Sequence, residues 1–380
     1  MKHMQRRQFL KTTIMGVAAL SPKLGTSVSN ASAPALAKKT FKQDYMIAMT
    51  DILGQHQITK LSAQGDVLFA LDMPSRRHSF AINYQKKQVL SIGRRPSTNI
   101  VVADFYGHEH KLLNAEPGRH FYGHGVFCKN ERYLYTTEND YEAAKGIIGV
   151  RDAHNGYRLV TEYSSHGIGP HAIELSNDGK TLLVANGGVS THPASGRKKL
   201  NVATMLPSLT VIDQSSGQLI KRMTLSEQQR HNSIRHLARN DKDQIVIALQ
   251  NQLPEKTNEV LLASYDNKED RLQALEIPQH VSLKLNSYLG DIVYDQSQQY
   301  FAASAPRGNC VLIYTAAGEF ISDIDIVDAS GVNATQQAGE FIVASGTGRV
   351  MLLTKSNDWK PQNMAIHEGN RWDNHLFLFG

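Results

Sequence analysis

Four histidines, His78, His124, His171 and His236, each open a short apolar run, in the local sequences RRHSFAI, YGHGVF, GPHAIEL and IRHLAR. Neutral imidazole is a good ligand for first-row transition metals and a general base near neutral pH. Recurrence at a fixed place in a repeat adds weight, because stacked repeats turn one sequence position into a ring or ladder in space. Imidazoles gathered in this way are a candidate metal centre or active site. The competing reading is structural: repeat proteins also keep polar residues at equivalent positions to bond neighbouring units or channel water.

The elements that must hold these histidines are strands. The plainest unit is HAIELSNDGKTLLVAN (171–186), two alternating apolar runs around an Asn-Asp-Gly turn, followed by SLTVID and QLIKRMTL. The same four-part unit reads HSFAINY, QVLSIGR, NIVVADF, HKLLNAE in the first repeat and HGVF, YLYTTE, GIIGVRD, YRLVTEY in the second. Three further units begin at RHLAR, GDIVYD and GVNAT. Alternation, β-branched residues and short polar turns argue for strands, and four antiparallel strands per unit make the blade of a β-propeller. The expected fold class is therefore all-β, a seven-bladed propeller.

The seventh blade comes from both ends of the chain. YMIAMTD, HQITKLS and DVLFALD (45–72) supply three strands, and HLFLF (375–379) supplies the fourth. Pairing them closes the ring and removes the open sheet edges. The closure also brings His375 into the repeat series His78, His124, His171, His236, Asp291, Val332, His375, with steps of 46, 47, 65, 55, 41 and 43. The step of 65 holds an insertion, Gly187–Pro207, expected to lie over the histidine face as a partial lid carrying His192, Arg197, Lys198 and Lys199.

In a propeller the first strand of each blade lines the channel, and the loop between second and third strands returns to the same face. His78, His124, His171, His236 and His375 should thus gather with Asp291 at one channel mouth. The channel is expected to be wide there, so that three or four neighbouring imidazoles, not all five, share an ion. Around them the face rule places Glu138, Asp140, Asn186, Arg235 and Arg307 as candidate ligand contacts. For Glu138 and Asp140 the alternative is a solvated acidic loop, for Asn186 turn chemistry, and for the two arginines ordinary salt bridges. A histidine and carboxylate set suits Fe, Cu, Zn or Mn; with no Met or Cys clearly at the ring, soft Cu(I) is disfavoured. Binding is expected to weaken as pH falls toward about 6.

Residues 1–37 read as a twin-arginine signal peptide. Arg6-Arg7 is followed by Phe9-Leu10-Lys11, an apolar run too short to span a bilayer, and a small-residue Ala35-Leu36-Ala37 cleavage site. The expected domains are this signal and a single propeller, 38–380, exported folded to the periplasm without a membrane span, as a monomer. The chain has 41 Lys and Arg against 35 Asp and Glu; the signal holds five of the basic residues and no acid, leaving 36 against 35. A near-neutral mature chain gives no concentrated basic face for nucleic acid. Cys128 and Cys310 lie far apart and read as buried free thiols more readily than as a disulfide. No nucleophile elbow, Walker loop or CxxCH motif is present, so no catalytic residue can be named.

The stretches 122–157 and 165–193, with SIRHLA (233–238) and SGTGRV (345–350), resemble an uncharacterised family of exported bacterial propeller proteins. GIGPH and TENDYE carry most of the specificity. This chain departs in having Cys128 where the family tends to Ser, and Ser79 where Gly tends to follow the first-blade histidine. In that family the gene commonly sits beside imelysin-like periplasmic proteins linked to iron uptake. The resemblance therefore implies an iron-related role and imelysin-like partners, with no established catalytic residues. Three classes stay open: a metal-handling binding protein, a lactonase-like hydrolase or lyase, and a docking scaffold. The imidazole-rich set favours binding over hydrolysis, since lactonase-type propellers use mostly carboxylate and Asn ligands.

Overall fold

The computed structural model describes residues 43–196, 198–253, 260–266 and 271–379. The signal-peptide reading of 1–37 and the lid residue Arg197 fall outside them. The described chain is a seven-bladed propeller of four-stranded antiparallel sheets. The inner strands are Arg77–Asn83 in blade 1, Arg119–Phe127 in blade 2, Pro170–Leu175 in blade 3 and Asn232–Arg239 in blade 4. Asp291–Tyr294 lines blade 5, Ala329–Ala334 blade 6 and Arg371–Phe379 blade 7. Each touches the inner strands on both sides in a closed cycle.

Blade 7 is assembled as expected. The C-terminal strand pairs antiparallel with Asp44–Thr50, which leads outward to His56–Leu61 and Val67–Asp72. The apolar alternation of the strands fills the wedges between blades. Leu90, Ile92, Ile100 and Val102 of blade 1, for example, pack on Phe121, Phe127 and Leu134 of blade 2. Fully burying one such side chain is worth about 1.5–3 kcal/mol, so every blade boundary holds the ring together. Cys128 and Cys310 are both free and buried.

Two features had no sequence signal. A short helix, Gln279–Lys284, fills the long step between blades 4 and 5, and its Val281 packs with Leu285 and Leu289 into the core. In addition, the inner strands of six blades carry a register break: blades 1, 2, 3, 4, 6 and 7. Such bulges kink a strand and re-aim its side chains. In blades 1, 2, 3, 4 and 7 they lie at or beside the histidines; in blade 6 the break lies just before Val332. The strand of blade 5, which carries Asp291, pairs without a break.

Candidate metal centre

The five histidines converge on the propeller axis. Ring centroids of neighbouring pairs stand 4.6 to 6.3 Å apart. The rings are 3 % to 9 % exposed, so this is a buried layer across the channel and not the wide mouth expected from blade number. The register breaks account for the difference, since they carry the side chains inward. Within the layer three ligand sets have donor atoms within 4.8 Å of one another: His78, His124 and His375; His124, His171 and His236; and His236, Asp291 and His375. The expectation that three imidazoles could share an ion therefore stands, and these sets overlap.

Local sequence explains why the rings fit. Gly123 sits in the bulge of blade 2 at φ +108°, and a Cβ there would lie 2.4 Å from Cδ2 of His78. Only glycine allows the backbone to pass that close and adopt that φ. Thr137, buried in blade 2, lies 3.2 Å from the carbonyl of His124 and 3.0 Å from that of His171, so its one hydroxyl proton ties two adjacent blades at the histidine level. At the repeat position of blade 6, Val332 goes into the apolar wedge and contributes only its N–H, 3.4 Å from Asp291 Oδ2.

The ring nitrogens have few partners. Nδ1 of His78 and His171 and Nε2 of His124 and His375 are buried with no hydrogen-bond partner. Nε2 of His78 lies 3.4 Å from Nε2 of His171. Two metal–nitrogen bonds of about 2.0–2.1 Å at a tetrahedral angle would span roughly that distance. On the far side, Nδ1 of His375 is 3.1 Å from Asp291 Oδ1. Burial, and then the neighbouring imidazoles, push His78, His124, His171 and His236 well below the ordinary imidazole value. At neutral pH they are neutral imidazoles, each with one lone-pair nitrogen. Protons therefore occupy these four rings only at a pH well below the usual imidazole range.

The histidine layer separates two cavities. The first, about 380 Å³, is floored by His78, His171 and His236 and walled by Arg94, Arg95, Lys199, Arg235 and Arg307. Among the described residues no Asp or Glu lines it. The second, about 550 Å³, meets His124, His236 and His375 and contains the carboxylates Glu174 and Asp291. Burial pushes Glu174 up to about 6 against the pull of Arg239, whose Nε lies 3.9 Å away, and burial likewise raises Asp291 against the pull of His375. The two approaches to the imidazoles thus carry opposite charge.

Among the other predicted contacts, Arg235 and Arg307 line the first cavity. Glu138, Asp140 and Asn186 line neither cavity. Glu138 is not in a solvated loop: the strand runs on to Asp140, and the buried Glu138 carboxylate pairs with Arg151 at 2.9 Å. Asp140 pairs with Arg119 at 2.7 Å, and Asn186 donates to Ser165 O and Thr210 Oγ1 inside blade 3. All three serve blade packing. The insertion does reach the site, since Lys199 lines the cavity and donates to Gln252 O at 3.3 Å. Arg94, Arg95, Tyr122 and Tyr288 were missed. Arg94 and Arg95 directly follow the second strand of blade 1, at the place where Arg307 follows that of blade 5, so the face rule could have found them.

A family model covers residues 71–379 of this chain and carries the description "Protein of unknown function (DUF1513)". The chain belongs to this family. Its members' shared description assigns no chemistry to the histidine layer. Among solved structures the chain is similar to one titled "Kuenenia stuttgartiensis Hydrazine Synthase". The TM-score is 0.61 at 15% identity, over 79% of this chain and 90% of that one. At that identity the likeness concerns the fold, which hosts many unrelated functions. The comparison with curated proteins found no match. Among the described residues no helix is long and apolar enough to cross a membrane.

Proposed function

We propose that this protein binds a transition-metal ion in the histidine layer and serves in metal handling after twin-arginine export to the periplasm. The carrying observation is the set of buried ring nitrogens without partners, on imidazoles whose donor atoms fall within 4.8 Å in overlapping groups. An unsatisfied buried polar atom costs about 1–3 kcal/mol. Several together in one layer are hard to reconcile with a purely structural role. An ion held by one of these three-residue groups would relieve part of that cost. Iron is the ion to which the family resemblance points, with copper or zinc as alternatives compatible with the same donors. The acidic cavity offers a cation an approach to His124, His236 and His375, and imelysin-like proteins are the proposed partners.

The donor set favours binding over turnover. A lactonase-like or lyase reaction would have to draw on Glu174 for proton transfer, since the Asp291 carboxylate is engaged with His375 and two backbone N–H groups. The test is elemental analysis of untagged protein from the periplasm, beside a His124→Ala/His171→Ala variant. Near-stoichiometric metal that disappears from a still-folded variant is the expected result. Absence of metal from both, even after anaerobic Fe(II), Cu or Zn loading, would overturn the reading in favour of a docking scaffold.

A further inference from the structure

The second cavity, about 550 Å³, leads from solvent to the imidazoles. His124, His236 and His375 close its inner end together with Asp291. His124 and His375 are buried, and Nε2 of each lacks a partner. At the outer end Asn177 marks the rim, exposed in the turn that follows the inner strand of blade 3. Between the two ends the wall is largely apolar, with Phe127, Leu175, Val293 and Phe377. Among the described residues, Glu174 is the one carboxylate of the lining besides Asp291.

Glu174 stands along this passage. It lies three residues past His171 on the inner strand Pro170–Leu175, roughly 10 Å farther along at the rise of a β-strand. Its side chain keeps 27 % of its surface exposed, and among the described residues it makes no hydrogen bond. Its charged partner, Nε of Arg239, stands at 3.9 Å, beyond hydrogen-bond reach. Arg239 also pairs through Nη1 with Asp243 at 3.1 Å, so one guanidinium is shared between two carboxylates. Gln298 Oε1, buried without a partner, is a further oxygen on a residue of the same lining. Carboxylate and amide oxygens are ligands for divalent ions.

An ion resting in the layer does not need Glu174. Each ligand set there has its donor atoms within 4.8 Å of one another, and Glu174 belongs to none of them. A carboxylate too far out to share the ion in its final place, yet free of hydrogen bonds on the way to it, suits a passing ion and not a resting one. Apolar walls focus the field of a charge along a cleft, and such focusing raises association rates by about 10- to 1000-fold. We propose that metal ions enter and leave the histidine layer through this cavity, and that Glu174 is the transfer ligand that takes them from solvent toward Asp291 and the imidazoles. The inference rests on the metal reading and adds to it the route and the residue that sets the rate.

The experiment is stopped-flow mixing of metal-free protein with Zn(II), followed by a zinc indicator dye, with release then driven by excess chelator. In Glu174→Gln both loading and release are expected to slow by at least about tenfold, while the equilibrium affinity stays within about threefold of wild type. Glu319→Gln removes the same charge from the exposed turn before Phe320–Asp325 and should load at the wild-type rate. Val293→Lys sets a cation in the lining and leaves Glu174 in place. It too should load slowly, and it serves should Glu174→Gln fail to fold. Loading of either variant at the wild-type rate would overturn the proposal. So would slow loading with unchanged release in Glu174→Gln, since the affinity loss would then make Glu174 a holder of the resting ion. Wild-type protein that takes up neither Zn(II), Cu nor anaerobic Fe(II) would instead overturn the metal reading, and this route with it.

Discussion

His375 of blade 7 and Asp291 of blade 5 meet across the intervening blade, with Nδ1 of the ring 3.1 Å from Oδ1 of the carboxylate. The other carboxylate oxygen is 3.4 Å from the N–H of Val332 in blade 6, so three blades are joined at one group. A carboxylate on Nδ1 holds that nitrogen protonated and leaves Nε2 as the lone-pair donor. Nε2 of His375 is one of the buried nitrogens without a partner. Carboxylate–histidine pairs of this kind orient metal ligands and raise their basicity.

Replacing Asp291 by Asn therefore separates orientation from folding. The amide keeps the size of the side chain but frees the tautomer of His375. Metal affinity should fall by about 10- to 100-fold, the usual cost of losing such a partner. Competition with a chromophoric chelator measures it, and an unchanged affinity would show that His375 is not a ligand.

Stability of the metal-free protein should fall with acid. In the unfolded chain, His78, His124, His171 and His236 take up protons near the ordinary value of 6.5, whereas in the fold burial keeps them neutral to well below it. The unfolded state then binds more protons below 6.5, so stability is complete above that pH and is lost as pH falls through it. Each imidazole contributes a slope of roughly 1 kcal/mol per pH unit. Glu174, raised to about 6, and Asp291, also raised, work with the opposite sign. Four imidazoles against two carboxylates leave a net loss. Urea melts from pH 7.5 to 5 should show it, with a shallower slope in His171→Asn.

The strands, the closing blade and the histidine ring were legible because each rests on a local signal repeated along the chain: alternation, turn residues and one recurring imidazole. What stayed hidden depends on partners distant in sequence. The register breaks that drive His78 and His124 to the axis are properties of strand pairs and have no single-residue signature. Glu138 looked like loop because of its polar neighbours, yet its strand extends to pair Asp140 with Lys145, and the carboxylate is matched by Arg151. The six-residue helix at 279–284 is too short to display a helical period. The basic cavity joins Arg94, Lys199, Arg235 and Arg307, which no window of sequence contains together. Near-neutral overall charge concealed it.

The two thiols should be inert in the native state. Burial pushes the Cys310 thiol up to about 12, against the pull of Lys284. Cys128 Sγ donates to Asn130 Oδ1 at 2.9 Å and accepts from Tyr133 N at 3.1 Å. Thiolate is the reactive form, and buried thiols react slowly. Ellman's reagent should find no fast-reacting thiol in folded protein and two in guanidinium chloride. A count of zero after unfolding would mean a disulfide.

Gly123 offers the sharpest test that the histidine layer is one packed unit. Its backbone passes so close to His78 that a Cβ would lie 2.4 Å from Cδ2 and 2.9 Å from Cγ, at a φ of +108° that other residues rarely adopt. Gly123→Ala must therefore push the His78 ring away or shift the bulge of blade 2. Overpacking of this kind costs about 1–3 kcal/mol, with the unfavourable φ adding to it. Because His78 and His171 are in contact at 3.4 Å, a displaced ring should also disturb the second histidine. The variant is expected to melt at lower urea and to bind metal more weakly than wild type, although no ligand atom has been removed. His78→Gln in the same assays supplies the reference for loss of that ring. Wild-type metal affinity in Gly123→Ala beside weakened binding in His78→Gln would show that the ring finds its ligand position without the close backbone approach.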